Sequence, residues 1–474
     1  IMLLSEHIDE VAQVVVEEDP ETKKKSVKQI FPRYHQLDCV EKLLADVKEN
    51  GIGKRYLIQH SAGSGKSNSI SWLAHQLIGL EQDGHPMIDS VLVVTDRRIL
   101  DKQIRDNIKQ FMQVANTVAW AEHSGDLRKA IQDGKRIIIT TIEKFPYVVP
   151  DIGASHKQNR FAVIIDEAHS GQSGRNSAQM NLALSGLASE DEMDNEDKIN
   201  AMMEGRKLLT NASYFAFTAT PKNKTLETFG VPYQDGDDVK HRPFHVYTMK
   251  QAIQEGFILD VLKYYTPIAS YYKLMKTVQD DPMFDKKRAQ KKLRSFVESD
   301  SYTIAQKAEM MVEHFHEQVI AKGKIGGQAR AMVVSSSIPR CIEYYYAINK
   351  CLANRHSPYK AIVAFSGEHK YQGQEPALTS AAINGFPDAK IPATFKTDPY
   401  RLLIVADMFQ TGFDEPLLHT MYVDKMLYDI RAVQTLSRLN RCHPQKHDTF
   451  VLDFFNKPAM IEEAFSRYYR TTFR

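Results

Sequence analysis

The chain of 474 residues is long enough for two or three domains, and its 43% hydrophobic and 25% charged residues are the proportions of an ordinary globular protein. A formal net charge of +2 excludes a polycation, so any nucleic-acid contact must come from local basic patches. Cys39, Cys341, Cys351 and Cys442 show no C-x-x-C spacing and read as reduced thiols of a cytoplasmic protein; no apolar run approaches the ~18 residues of a membrane span, and no signal peptide is visible.

Residues 1–28 are charged and weakly patterned, and are expected to be a connector. Within them Asp19-Pro20-Glu21-Thr22-Lys23 carries the letters of a metal-dependent nuclease site. Its spacing is too short and no apolar strands are expected around it, so it reads as linker. From Ile30 to about Leu226, short Val/Ile-rich runs alternate with helical segments: Tyr56–Gln59, Ser90–Thr95, Arg136–Thr140, Ala162–Ile165 and Tyr214–Thr218. That alternation predicts an α/β lobe with a parallel sheet covered on both faces.

Two motifs in this lobe carry chemistry. His60-Ser61-Ala62-Gly63-Ser64-Gly65-Lys66-Ser67 lies between the Tyr56–Ile58 strand and a helix-like stretch. That is the setting a phosphate-binding loop needs. Gly63 and Gly65 let the backbone curl, with Ser64 between them, so that amides point at a phosphate. Lys66 can reach the β- and γ-phosphates of ATP, and the Ser67 hydroxyl can ligate Mg²⁺. His60 stands where Gly or Ala is usual and puts the entry to the loop in question. About a hundred residues on, Asp166-Glu167-Ala168-His169 ends a strand. Asp166 would hold Mg²⁺, mainly through water, and Glu167 would polarise the attacking water. An acidic stretch, Ser189 to Asp197, reads as a solvated insertion.

A second alternation follows Asp260, with strands expected at Tyr264-Tyr265, Arg330–Ser335, Ala361–Phe365, Arg401–Val405, Met421–Val423 and Phe450–Asp453. A basic segment, Asp285 to Phe296, reads as a solvent-facing helix, with phosphate contact as the alternative. The two lobes share one element order, as two copies of one ATPase-type fold would.

Further strings then fall into place. Phe31-Pro32-Arg33-Tyr34-His35-Gln36 precedes the loop. Val93-Val94-Thr95-Asp96-Arg97-Arg98, Ile139-Thr140-Thr141-Ile142 and Phe217-Thr218-Ala219-Thr220-Pro221 follow strands of the first lobe. Thr411-Gly412-Phe413-Asp414-Glu415-Pro416 and Gln434-Thr435-Leu436-Ser437-Arg438-Leu439-Asn440-Arg441 lie in the second. With the loop and D-E-A-H, this set resembles the motor core of a superfamily 2 helicase or translocase. More specifically it is similar to the restriction subunit of type I restriction–modification enzymes, from about Phe31 to about Asp453.

The resemblance implies two RecA-like parallel-sheet lobes in tandem, with an ATP cleft between them. The first would span 29–250 and the second 251–460. Residues 1–28 would connect to a missing nuclease domain, and 461–474 would begin a truncated helical region. By the same resemblance Gln36 reads adenine, and Gly412 and Asp414 belong to the nucleotide site. Arg438 and Arg441, three apart on one helical face, are arginine fingers. His169, Thr218, Thr220 and Gln434 couple hydrolysis to lobe movement. Thr95, Arg97, Thr140, Thr141, Ser335 and Thr411 face a nucleic-acid backbone. The cofactors are ATP and Mg²⁺; the partners are double-stranded DNA and the modification and specificity subunits, with no membrane. The leading expectation is an ATP-driven double-stranded DNA translocase. A strand-separating helicase on DNA or RNA shares the same motor motifs, and a nucleotide-gated scaffold would not need Glu167, Arg438 and Arg441.

Overall fold

The computed structural model describes residues 13–18, 25–95, 118–121, 124–141, 158–166, 211–268, 270–271, 303–371, 377–406, 408–409 and 413–469, the first two strands by their backbone alone. Two compact units divide the chain, Ile1–Met249 and Lys250–Arg474. Asp19–Lys23, Ser189–Asp197 and Asp285–Phe296 lie outside the described residues.

The expected connector contains two strands. β1 (Gln13–Glu18) and β2 (Lys25–Ile30) pair antiparallel, from Gln13 opposite Ile30 to Glu18 opposite Lys25. The expectation that no strands flank Asp19–Lys23 is therefore corrected. Its physical cause is the β-branched run Val14-Val15-Val16, which favours extended backbone despite the charges around it.

The first unit is built on α1 (Tyr34–Asn50), β3 (Arg55–His60), α2 (Lys66–Gly79), β4 (Ser90–Thr95), β5 (Val118–Trp120), α3 (Ser124–Gln132), β6 (Ile137–Thr141), β7 (Phe161–Asp166), β8 (Ala212–Thr218), α4 (Asn223–Phe229) and β9 (His245–Tyr247). Seven strands form one wholly parallel sheet in the order β9-β3-β8-β7-β4-β6-β5. Successive side chains on its strands enter opposite cores. Ile58, Val91, Val93, Ile137, Ile139, Ala162, Ile164, Phe215 and Phe217 pack with α1 and α2 on one face. Leu57, Leu92, Val94, Ile138, Val163, Ile165, Tyr214 and Ala216 pack with α3 and α4 on the other. Burial on both faces is why these strands read as unbroken apolar runs.

The second unit repeats the plan with β10 (Tyr265–Pro267), α5 (Ile304–His314), β11 (Arg330–Ser335), α6 (Ile338–Asn354), β12 (Lys360–Ala364), β13 (Tyr400–Val405), β14 (Leu418–Asp424), α7 (Asp429–Leu436), β15 (Phe450–Asp453) and α8 (Pro458–Tyr469). Its six-stranded sheet is also wholly parallel, ordered β10-β15-β14-β11-β13-β12. The architecture is α/β, with two RecA-like lobes in tandem. Among the described residues no helix is long and apolar enough to cross a membrane.

The Phe215 ring is fully buried and stacks on Tyr56 of β3 at 4.9 Å between centroids. Phe215→Ala removes that contact and leaves a cavity between β3 and β8. It should cost about 3–5 kcal/mol of unfolding free energy. Denaturant titration checks this, and a loss under about 1 kcal/mol would mean that the site collapses around the smaller side chain.

Candidate nucleotide site

The site of the first unit is built by strand register. Thr218 at the end of β8 lies opposite Gln59 on β3, and Phe217 beside it lies opposite Asp166 at the end of β7. The β3 end, Thr218 and Asp166 therefore share one carboxyl edge. Strand spacing puts the outer two about 10 Å apart. Ligands bind at such an edge in open α/β sheets.

From β3 the chain turns through residues 60–65 into α2. Gly63 and Gly65 have φ of 89° and 85°, the left-handed region that glycine enters without strain. The start of α2 has no side-chain cap and no acidic residue in its first turn. Its first amides and its dipole are therefore open to an anion. The hydroxyls of Ser61 and Ser64 are buried without a hydrogen-bond partner. Lys66 is buried, and its Nζ lies 3.4 Å from the His60 carbonyl. Donors buried this way fit a triphosphate. Asp166, buried at its strand end, and Ser67, in the first turn of α2, are the donors that fit Mg²⁺.

Behind the loop stands a support that the sequence did not reveal. Gln36 Nε2 donates to the Gly65 carbonyl at 2.8 Å, and its Oε1 accepts from the Arg33 amide at 2.9 Å. In this conformation both ends of the Gln36 amide serve the protein's own backbone. His35 Nε2 lies 3.0 Å from the Ser64 carbonyl, and its ring stacks flat on Tyr247 at 3.6 Å. Tyr247 in turn accepts from the Ser61 amide through its carbonyl at 3.0 Å.

His60 is fully buried, and its Nε2 lies 2.8 Å from His245 Nδ1; His245 Nε2 lies 2.8 Å from Asp38. Burial pushes both imidazoles below their ordinary value. Burial alone would raise the Asp38 carboxyl, but Lys42 and His245 outweigh it and hold it below its ordinary value. With neutral rings the protons run one way: His245 donates to Asp38 and His60 donates to His245. Cys39, His60 and His245 bring ligand-type atoms within 4.8 Å of one another. The facing nitrogens are already hydrogen bonded and the far nitrogen of His245 is taken by Asp38, so the cluster acts as a strut. His60 in place of Gly or Ala was its one visible signal. The partners lie 185 and 207 residues apart in the chain, beyond any motif.

Thr220 donates its amide to the Thr218 hydroxyl at 3.2 Å, and both residues are buried. Thr95, Thr140 and Thr141 sit at the buried carboxyl ends of β4 and β6. The Thr140 and Thr141 hydroxyls have no hydrogen-bond partner there. Glu167, His169, Arg97, Thr411 and Gly412 lie outside the described residues.

In the second unit Ser335 is buried and donates to the Val405 carbonyl at 3.0 Å. The expectation that Arg438 and Arg441 share a helical face is corrected. α7 ends at Leu436, residues 437–440 form a tighter 3₁₀ turn, and Arg441 is extended at φ −62°, ψ 130°. Arg438 is buried and donates to the Gln434 and Phe413 carbonyls at 3.1 and 3.2 Å. Gln434 is buried on α7. Arg441 Nε donates to Asp414 at 2.8 Å. Desolvation would raise the Asp414 carboxyl, but Arg441 outweighs it and keeps it ionised below its ordinary value.

Two family models match the chain: SWI2/SNF2 ATPase over residues 35–296, and type I restriction enzyme subunit R domain 3 over residues 388–456. Among curated proteins, the type I restriction enzyme HindI endonuclease subunit of Haemophilus influenzae is 25% identical over 481 residues, which is 94% of this chain and 42% of that protein. The chain spans about two fifths of the length of the curated relatives it matches. Among solved structures, a fragment described as an HsdR subunit of a type I restriction enzyme from Vibrio vulnificus aligns with a TM-score of 0.54 at 13% identity, over 97% of this chain and 76% of that one. The ATP-dependent type ISP restriction–modification enzyme LlaBIII bound to DNA aligns with a TM-score of 0.53 at 15% identity, over 92% of this chain and 29% of that one.

Two outcomes follow from the loop and its strut. A Cβ added at Gly65 would meet Gln36 Nε2 at 2.7 Å, at a φ that other residues rarely adopt. Gly65→Ala should weaken binding of a fluorescent ATP analogue by at least about tenfold, the consequence of ~1–3 kcal/mol of backbone strain; unchanged affinity would show that the loop relaxes freely. The second outcome concerns acid. The unfolded chain protonates His60 and His245 near pH 6.5, before the folded chain does. Their contribution to stability is complete above that pH and is lost as the pH falls toward the depressed folded values. His245→Phe removes one titrating ring and should flatten the decline in denaturation midpoint between pH 7 and 5. An equally steep decline in the variant would assign it to other groups.

Proposed function

The chain belongs to the SWI2/SNF2 ATPase family, and from that premise we propose that it is the ATP-driven double-stranded DNA translocase motor of a type I restriction endonuclease. The observation that carries the reading is the shared edge of β3, β8 and β7, which ranks the phosphate loop, Thr218 and Asp166 along one line. This supports an ATP site in which Gly63, Ser64, Gly65 and Lys66 hold the phosphates. Ser67 and Asp166 would hold Mg²⁺, which would supply charge neutralisation on the phosphates. Gln36 sets the loop and faces the adenine. Glu167 orients the attacking water and takes its proton. Arg438 and Arg441 are assigned to the charge of the transition state, and Gly412 and Asp414 to the nucleotide site.

His169, Thr218, Thr220 and Gln434 couple that chemistry to movement. Thr95, Thr140, Thr141 and Ser335, at strand ends, are assigned to phosphate contact with DNA, as are Arg97 and Thr411. Contacts of that type give grip without sequence reading, as a motor requires. The recognition of a DNA site would fall to a specificity subunit, with a modification subunit in the same cytoplasmic assembly. The likeness to restriction subunits and to a DNA-bound restriction enzyme supports a duplex track over strand separation.

The decisive assay uses the chain assembled with its modification and specificity partners. ATP should drive displacement of a third strand from a triplex, and should not release a strand annealed to a single-stranded circle. Lys66→Ala should abolish turnover, and Glu167→Gln should keep ATP binding while losing hydrolysis. Release of the annealed strand without triplex displacement would make the protein a helicase instead. Hydrolysis by Glu167→Gln at the parent rate would remove Glu167 from its role.

A further inference from the structure

Lys446 is 4% exposed, and among the described residues its ammonium hydrogen-bonds to backbone carbonyls. Its Nζ donates to Leu418 O at 2.7 Å, to Leu439 O at 2.7 Å and to Arg441 O at 2.9 Å. An ammonium has three N–H bonds, and each is spent on a different element: the start of β14, the 3₁₀ turn, and the extended residue after it. The same short stretch is held from its other side, where the Leu259 amide donates to Asn440 O at 2.9 Å and Ile258 bridges Arg441. A buried charge with no carboxylate in contact among the described residues is costly, and packing alone would be better served by an apolar side chain. What the charge uniquely does is tie the carbonyls on both sides of Asn440 to the sheet.

We propose that Lys446 is a positioning residue for Arg441, fixing the backbone from which that guanidinium projects toward Asp414. This rests on the assignment of Arg441 to the transition state of ATP hydrolysis. Lys446 touches neither substrate nor metal and acts only through Arg441.

The proton on Lys446 then matters. Burial, aided by Arg441 and opposed by Cys442, Glu415 and Asp414, brings its ammonium down to about 7; His419 on β14 also faces it. Loss of the proton removes one donor and loosens the clamp. It does not loosen the lobe: a lysine with a depressed pKa contributes least to stability at low pH, and its contribution grows as the pH rises above 7. Rate and stability should therefore move in opposite directions.

The test measures steady-state ATP hydrolysis by the full chain with double-stranded DNA. Lys446→Met should lower kcat by about 10²-fold, the cost of a misplaced charge, with KM for ATP changed less than about threefold. Lys446→Met combined with Arg441→Ala should be no slower than Arg441→Ala alone, because the two act as one unit. In the parent, kcat should fall as the pH rises through about 7 with no fall in Tm, and Lys446→Arg, charged throughout, should flatten that fall. If circular dichroism shows Lys446→Met unfolded, the Lys446→Arg pH profile decides by itself. Parent kcat in a folded Lys446→Met, additive losses in the double variant, or the same pH profile in the parent and Lys446→Arg would each overturn the proposal. Arg441→Ala at the parent rate would instead overturn the assignment of Arg441 on which the proposal rests.

Discussion

Three parallel strands ending in register constrain everything else in the first unit. β3, β8 and β7 end within a residue of one another: Gln59 lies level with Thr218, and Asp166 lies level with Phe217. A slip of one residue in any of them would turn its last side chain to the opposite face. The apolar alternation prevents that slip. Leu57, Tyr214, Ala216 and Val163 feed one core, while Ile58, Phe215, Phe217 and Ile164 feed the other. Moving any strand by one residue would exchange side chains as different as Phe217 and Ala216 between two filled interiors. Packing thus sets the position of polar groups that make little packing contribution of their own.

The loop that hangs from this edge faces a conflict. It must leave its amides unpaired to receive a phosphate, yet unpaired buried groups are costly. The structure divides the two demands by group type. Carbonyls of the loop are tied back, Gly65 by Gln36 and Ser64 by His35, while its hydroxyls and the first amides of α2 stay open. The Ser61 and Ser64 amides are themselves spent on the Tyr247 and Ser61 carbonyls, so it is the amides at the start of α2 that this hold leaves for a phosphate. The strut of Asp38, His245 and His60 extends that hold below the loop entry and removes any need for a glycine at position 60.

Much of this was legible in the sequence, for reasons of local physics. Strands buried on both faces are unbroken apolar runs, so β4, β7 and β11 stood out. The glycine pair before Lys66 announced a turn that no other residue enters without strain. What stayed hidden was of two kinds. The Asp38–His245–His60 chain joins residues that only the tertiary fold brings together, and no spacing rule reaches across 185 residues. The geometry around Arg441 was misread because a spacing of three suits a helix face, and nothing local marks the change to a 3₁₀ turn at Ser437. The carbonyls freed where α7 ends are the kind that Lys446 captures, so the helix end and the buried lysine are two sides of one feature. The strand at 13–18 was passed over because its charged surroundings obscure three valines at its centre, and its partner at 25–30 because lysines flank its single valine.

The two units share one plan but hold their functional groups in different ways, and the difference follows from charge. The edge of the first unit presents amides, hydroxyls and one lysine, groups suited to surrounding an anion. The second presents two guanidiniums that are already engaged, Arg438 with backbone carbonyls and Arg441 with Asp414. An arginine paired with a carboxylate of lowered pKa keeps a defined direction without being fully neutralised. Such a group pays its ordering entropy before any nucleotide arrives, which is what the transition-state role proposed for it would require. A guanidinium free in solvent would bind ATP about as well in the ground state, and would lower the barrier less. The pairing with Asp414 and the clamp on the Arg441 carbonyl serve the same end from opposite sides of one residue, the first fixing the side chain and the second the backbone.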